Sequence, residues 1–249
     1  MMTYPLPQLI LTLPFQVTSA DTDMEARLRP GALLNLLIQG AIQSADALGF
    51  GFGNLRKEQL FWVLSRMHIE ILRPMKWHET GSVETWPKAV DGLQYVRDFK
   101  VFDHNNELVG LATSVWLAID FQSKRPRKYE GMDADLLDSL RLTHAIEERP
   151  EKLAGISEGS EELIKTGYFD FDLNRHVTST RYVDWMMDQL PVEFNAQFYP
   201  RRLTINYMKE TRPGETVKLR TQMQEKTVNF EGFHLSTSQT SFRGKIEFH

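Results

Sequence analysis

Two hydrophobic rhythms organise this chain, and each occurs twice. From Pro30 to Leu48, PGALLNLLIQGAIQSADAL places Leu, Ile or Ala at most positions and carries no charge before Asp46. Its polar residues Asn35, Gln39 and Gln43 recur every four positions on one narrow stripe. The segment therefore predicts a helix opened by Pro30 and buried on nearly all sides. From Phe61 the period becomes two: in FWVLSRMHIEIL, Val63, Met67, Ile69 and Ile71 share one face, and Arg66, His68 and Glu70 the other. Further strands are expected at Gln8–Val17, Ser82–Val90, Leu93–Asp103 and Leu108–Asp120, the last two joined by His104-Asn105-Asn106. One helix followed by an antiparallel meander is the pattern of the first part.

Arg125–Ser160 breaks that rhythm with charge runs, Pro126, Pro150 and a short helical patch near Leu136–Leu142, and reads as a connector. Beyond it the opening pattern returns. Asp21-Thr-Asp23-Met24 overlies Asp170-Phe-Asp172-Leu173 without a gap, and the same spacing carries Leu33-Leu34 and Leu36-Leu37 onto Tyr182-Val183 and Trp185-Met186. RMHIEI (Arg66–Ile71) overlies RLTINY (Arg202–Tyr207) at a shorter spacing, so the second copy has lost part of the loop between helix and strand. Strands at Thr216–Gln224, Asn229–Ser238 and Phe242–His249 complete it. Two copies of so long a unit mean duplicated domains. The expected division is 1–128 for the N-terminal unit, 129–160 for the connector and 161–249 for the C-terminal unit.

The two copies differ in one place that bears on chemistry. YFDFDLNRHVTSTRYVDW (Tyr168–Trp185) puts Asp170, Asp172, Asn174 and His176 at alternate positions. If that stretch is extended, their side chains share one face. Thr178-Ser179-Thr180 and an apolar-periodic segment then predict a helix start directly after His176. Its free N–H groups and positive dipole end would sit beside the polar row and suit a developing oxyanion. Where the second copy has Asn174 and His176, the first has Glu25 and Arg27, which suggests a single working site.

Composition narrows the classes. The 249 residues are 41% hydrophobic and 25% charged with a formal net charge of −4, so nothing favours nucleic acid. Without a single cysteine, disulfides, thiolate metal sites and a cysteine nucleophile are all excluded. The start, MMTYPLPQLILTLPF, lacks a basic n-region and a cleavage site, and no run is long enough for a membrane span, so a cytoplasmic protein is expected. Gly49–Gly53 follows a helix rather than a strand, which argues against a dinucleotide loop. Gly155-Ile156-Ser157-Glu158-Gly159 matches a nucleophile elbow in letters only, because its flanks are charged and its setting antiparallel. The histidines outside the polar row lack ligand spacing, so no metal is expected.

A long helix wrapped by an antiparallel sheet, present twice, is α+β and describes a tandem hot dog. Three stretches carry a more specific resemblance: Leu33–Gly53, Trp62–Trp86 and DFDLNRHVTSTRYVDW. On these the sequence resembles the acyl-[acyl-carrier-protein] thioesterases of plant and bacterial type, and the resemblance covers nearly the whole chain. It implies hydrolysis of the thioester joining a fatty acyl chain to the phosphopantetheine arm of a carrier protein, ending fatty acid synthesis. It places the family's Asp-x-Asn-x-His on Asp172, Asn174 and His176, and its acid in the following strand on Glu210. Plant members commonly carry a cysteine after that acid; here it is Thr211.

In the mechanism so implied, Glu210 activates water, Asn174 with helix amides polarises the carbonyl, and Asp172 orients His176. The division with His176 as base and Glu210 as its partner is left open. Hydrolysis by an activated water would need no organic cofactor. The acyl chain is expected along the first unit's helix. The acidic carrier protein is expected on Arg125, Arg127 and Lys128, or on Arg201 and Arg202, and the protein to be a monomer or homodimer. The rival readings are a coenzyme A thioesterase, a dehydratase, and a non-catalytic acyl-binding protein.

Overall fold

The computed structural model describes residues 9–132, 138–140 and 142–249. Ten strands among them form one sheet, antiparallel at every pairing: β1 (Leu11–Gln16), β2 (Leu60–Ile71), β3 (Thr80–Asp91), β4 (Gln94–Asp103), β5 (Leu108–Asp120), β6 (Ser160–Lys165), β7 (Pro200–Tyr207), β8 (Thr216–Gln224), β9 (Thr227–His234) and β10 (Thr240–Phe248). The spatial order is β1-β3-β4-β5-β2-β7-β10-β9-β8-β6, so five strands of the first copy are mirrored by five of the second. The copies meet at β2 and β7, where Met67 pairs with Ile205 and Ile69 with Leu203. At the centre His68 pairs with Thr204, its own counterpart 136 residues on, and the side chains share a 2.7 Å hydrogen bond. The repeat spacing legible in the sequence thus becomes a pseudo-two-fold axis through that pair. This is the tandem hot dog expected above.

Among the described residues the sheet is accompanied by α1 (Pro30–Ala47), α2 (Phe52–Lys57), α3 (Ser179–Asp188) and α4 (Val192–Gln197). Leu34 and Leu37 of α1 and Val183 and Met186 of α3 are fully buried against Met67, Ile69, Leu203, Ile205 and Phe242. Each such side chain contributes about 1.5–3 kcal/mol by leaving water. The helices touch where a Cβ on Gly31 would meet Asp184 and come within 3.3 Å of the Thr180 carbonyl. A methyl there would require the Asp184 carboxylate to swing away and the Thr180 carbonyl to give slightly.

Two expectations change. α1 is not buried all round. Leu33, Leu34, Leu37, Ala41 and Ala45 face the sheet, while Asn35, Gln39, Ile42 and Gln43 face solvent. The polar stripe was the outer face, because one sheet covers only one side of a helix. β9 ends at His234 rather than Ser238, because a tight turn returns the Ser238 N–H to the His234 carbonyl at 2.8 Å, with Ser238 at φ 55°. Of the helical patch at Leu136–Leu142, Leu136, Leu137 and Arg141 lie outside the described residues, as does Gln8.

Residues 142–159 of the connector run as irregular chain, fixed by buried polar groups of both copies. Trp86 Nε1 donates to the Thr143 carbonyl (3.0 Å), and Asp98 Oδ2 accepts from the Ala145 N–H (2.8 Å). Further on, Asn206 Oδ1 accepts from Leu153 (2.8 Å) and Glu231 Oε2 from Ile156 (2.9 Å). Ser157 therefore sits between this strap and edge strand β6, with no helix after it.

Candidate active site

The polar row does not run as an extended strand. The chain bends at Arg175, which takes φ 61°, and folds back on Asp172. Asp172 Oδ1 accepts the N–H groups of Asn174 (2.8 Å) and His176 (3.1 Å), while its own N–H donates to the His176 carbonyl (2.8 Å). Asp172 accordingly shapes the loop through backbone amides instead of orienting the imidazole. A short aspartate bonding two residues ahead is a local alternative to a strand ladder. Asp170 leaves the row altogether. It is buried, with Oδ2 on the Gly167 N–H (2.7 Å) and Oδ1 on Arg181 Nε (2.7 Å). Asn174 is exposed at the turn, His176 half-buried, and α3 starts three residues after His176, at Ser179.

Glu210 lies just past the end of β7 rather than within a strand. It comes beside His176 because the Val177 N–H donates to the Thr211 carbonyl at 2.9 Å. Burial alone would push the Glu210 carboxyl up. Its own N–H, Lys209 (3.5 Å), Arg212 (3.0 Å) and the field of His176 prevail and hold it below the usual glutamate range. Thr211 is fully buried, its N–H on the Tyr182 hydroxyl (3.3 Å) and its Oγ1 3.0 Å from Nε2 of buried His234. Burial pushes the Tyr182 phenol up to about 12, so the group stays neutral. These three residues fasten the Glu210 segment from behind. Only the tertiary fold joins His234 to Thr211; its sequence neighbours gave no sign of it.

A narrow apolar cavity opens beside the C-terminal half of α1, lined by Ala41, Ala45, Phe50, Trp62, Tyr95 and Trp116. Arg97 also faces it, fully buried, with Nη1 on Ser44 Oγ (2.9 Å) and Thr85 Oγ1 (3.2 Å). Burial pushes this guanidinium down to about 9. The basic residues expected at a partner surface are mostly taken: Arg127 faces Asp120 (3.1 Å), Lys128 Glu130 (3.1 Å), Arg201 Glu247 (3.7 Å) and Arg202 Glu70 (3.2 Å).

Fold and site together define a tandem hot dog protein whose chemistry-bearing groups gather in the second copy. The chain matches the acyl-ACP thioesterase N-terminal domain over residues 10–136 and the C-terminal domain over residues 154–249. It belongs to the acyl-ACP thioesterase family. An acyl-ACP thioesterase structure from Bacteroides thetaiotaomicron is 27% identical, with a TM-score of 0.86 over 98% of this chain and 99% of that one. An acyl-[acyl-carrier-protein] hydrolase from Cuphea viscosissima is 26% identical over 79% of this chain, and an oleoyl-acyl carrier protein thioesterase from Arabidopsis thaliana 27% over 82%. This chain spans 50% and 61% of those two proteins. No helix among the described residues is long and apolar enough to cross a membrane.

Proposed function

We propose that this chain hydrolyses the thioester of a fatty acyl group carried by an acyl carrier protein, using Asp172, Asn174, His176 and Glu210. The observation that carries the reading is the stitch between Val177 and Thr211, which brings the ionised Glu210 carboxylate within the field of the His176 imidazole. Hydrolysis needs a proton acceptor for water and a donor for the carbonyl oxygen as it turns anionic. Glu210 supplies the acceptor, a role worth about 10²–10⁴ in rate. The Asn174 amide supplies a donor, worth about 2.7–4 kcal/mol where it meets the oxyanion. Asp172 holds both residues by fixing the loop. Thr211 takes no part as a nucleophile, since its hydroxyl is buried on His234. The apolar cavity at α1 takes the acyl chain, each methylene contributing about 0.8 kcal/mol.

The cations that keep Glu210 ionised also weaken it as a proton acceptor. That favours a second division of labour, with His176 taking the proton and Glu210 stabilising the resulting imidazolium. The acid limb of kcat/KM separates the two. Glu210 as base places it below 4.5, the ordinary glutamate value. An acid limb that does not fall below 4.5 would exclude Glu210 as the base.

The test is fatty acid release from a panel of acyl-carrier-protein thioesters beside the matching coenzyme A thioesters, with wild type and Asn174→Ala. The reading expects preference for the carrier protein and a loss of about a hundredfold in the variant. Equal rates on both thioesters would make it a general thioesterase. No release from either would leave an acyl-binding protein.

A further inference from the structure

The two copies of the loop differ outside the polar row as well. Tyr168, Phe169 and Leu173 stand 87%, 92% and 87% exposed around the Asp172 loop, the two rings edge to face with centroids 5.3 Å apart. At the matching positions the first copy has Ser19, Ala20 and Met24, and Ala26 where the second has Arg175. The backbone is the same in both: Ala26 and Arg175 take φ 57° and 61°, and each aspartate accepts the same two amides. The fold therefore does not require aromatics there. Exposed rings grouped at one end of a site are the usual mark of an interaction surface, and aromatic and arginine side chains are its usual anchors.

We propose that Tyr168, Phe169, Leu173 and Arg175 form the seat for the body of the carrier protein, an inference that rests on the thioesterase reading above. The protein bearing the thioester must dock within the length of its flexible arm from Asp172–His176, and these exposed side chains stand on the rim of that loop. Charge agrees with an acidic partner. Arg175 has no acidic partner among the described residues, whereas Lys209 and Arg212 are held by Glu210. Of the basic residues expected elsewhere from the sequence, Arg127, Lys128, Arg201 and Arg202 already face their own acids.

The test exchanges the rim for its twin: Tyr168→Ser with Phe169→Ala, and separately Arg175→Ala. Dodecanoyl thioesters of carrier protein and of coenzyme A are compared, and binding of acyl-free holo carrier protein is titrated alongside. The double variant should raise KM for the carrier protein about tenfold and weaken holo carrier binding as much, with kcat and the coenzyme A reaction within about twofold. Arg175→Ala should cost about threefold, less at high salt. Unchanged KM and binding would overturn the seat. An equal rise on both thioesters would overturn it too, by assigning the rim to the arm. So would a wild type that binds vesicles of anionic lipid, or self-associates in sedimentation, through these residues alone. If wild type cleaves neither thioester, the hydrolase reading fails, and the binding titration still decides the seat.

Discussion

Asp23–Arg27 and Asp172–His176 are one loop built twice and put to different uses. In both, the aspartate carboxylate accepts amides two and four residues ahead, and the residue before the last takes positive φ. In both, the next residue ties the loop to the strand end of its own copy, Leu28 to the Met75 carbonyl (2.8 Å) and Val177 to that of Thr211 (2.9 Å). The difference lies in what fills the scaffold. Arg27 reaches back to Asp23 (2.9 Å), donates to the Asn195 carbonyl (2.6 Å) and lies over the Tyr199 ring, so the first loop bolts the copies together. Pro74 stands where the second copy has Glu210. The second loop has His176 in place of that bolt and an acid across from it. One copy spends the loop on cohesion, and the other leaves it free for the chemistry proposed above.

That contrast can be broken from either side. The largest effect belongs to Glu210→Gln, which should lower kcat about 10²–10⁴-fold with little change in melting temperature, read by steady-state kinetics and thermal denaturation. Asp172→Ala should cost about a hundredfold in activity, whereas Asp23→Ala should leave activity within a few-fold and lower stability instead. Arg27→Met removes charge-assisted hydrogen bonds to partly buried partners. It should cost about 1.5–3 kcal/mol, seen in denaturant titration, and spare kcat. Thr211→Val strips the partner from buried His234 and should cost about 1–3 kcal/mol, with a loss of activity smaller than that of Glu210→Gln.

The smallest effect concerns pH. Burial, set against the Glu70 carboxylate, leaves His68 titrating below its usual 6.5. The unfolded chain therefore takes the proton first, and this stability is complete above 6.5 and lost as pH falls. His68→Thr, the residue of its twin, should flatten the decline in melting temperature between pH 7 and 5.

The duplication was legible because the same residue types recur at fixed spacing, and the sheet turned that spacing into an axis at His68 and Thr204. The turn at Asp172 was not. Alternating Asp, Asn and His reads as a strand, and neither Arg175 nor Ala26 is a residue type that announces positive φ. Glu210 could be placed by family resemblance, but its neighbours Lys209 and Arg212 gave no sign of how strongly they hold it ionised. The Thr211–His234 contact and the burial of Arg97 depend on which strands lie side by side, a matter of register that local pattern does not carry. Val228 lies opposite Met223 in the second copy much as Arg97 lies opposite Pro87 in the first, so symmetry would not have foretold the arginine either.

The most direct test writes the first loop into the second. Asn174→Glu with His176→Arg gives the second loop the first copy's residues on a backbone that already tolerates them. Fatty acid release from dodecanoyl carrier protein should fall below detection while the melting temperature stays within a few degrees of wild type. Release at more than a tenth of the wild-type rate would mean that the working site lies elsewhere, and that the difference between the twin loops is not what makes this chain a catalyst.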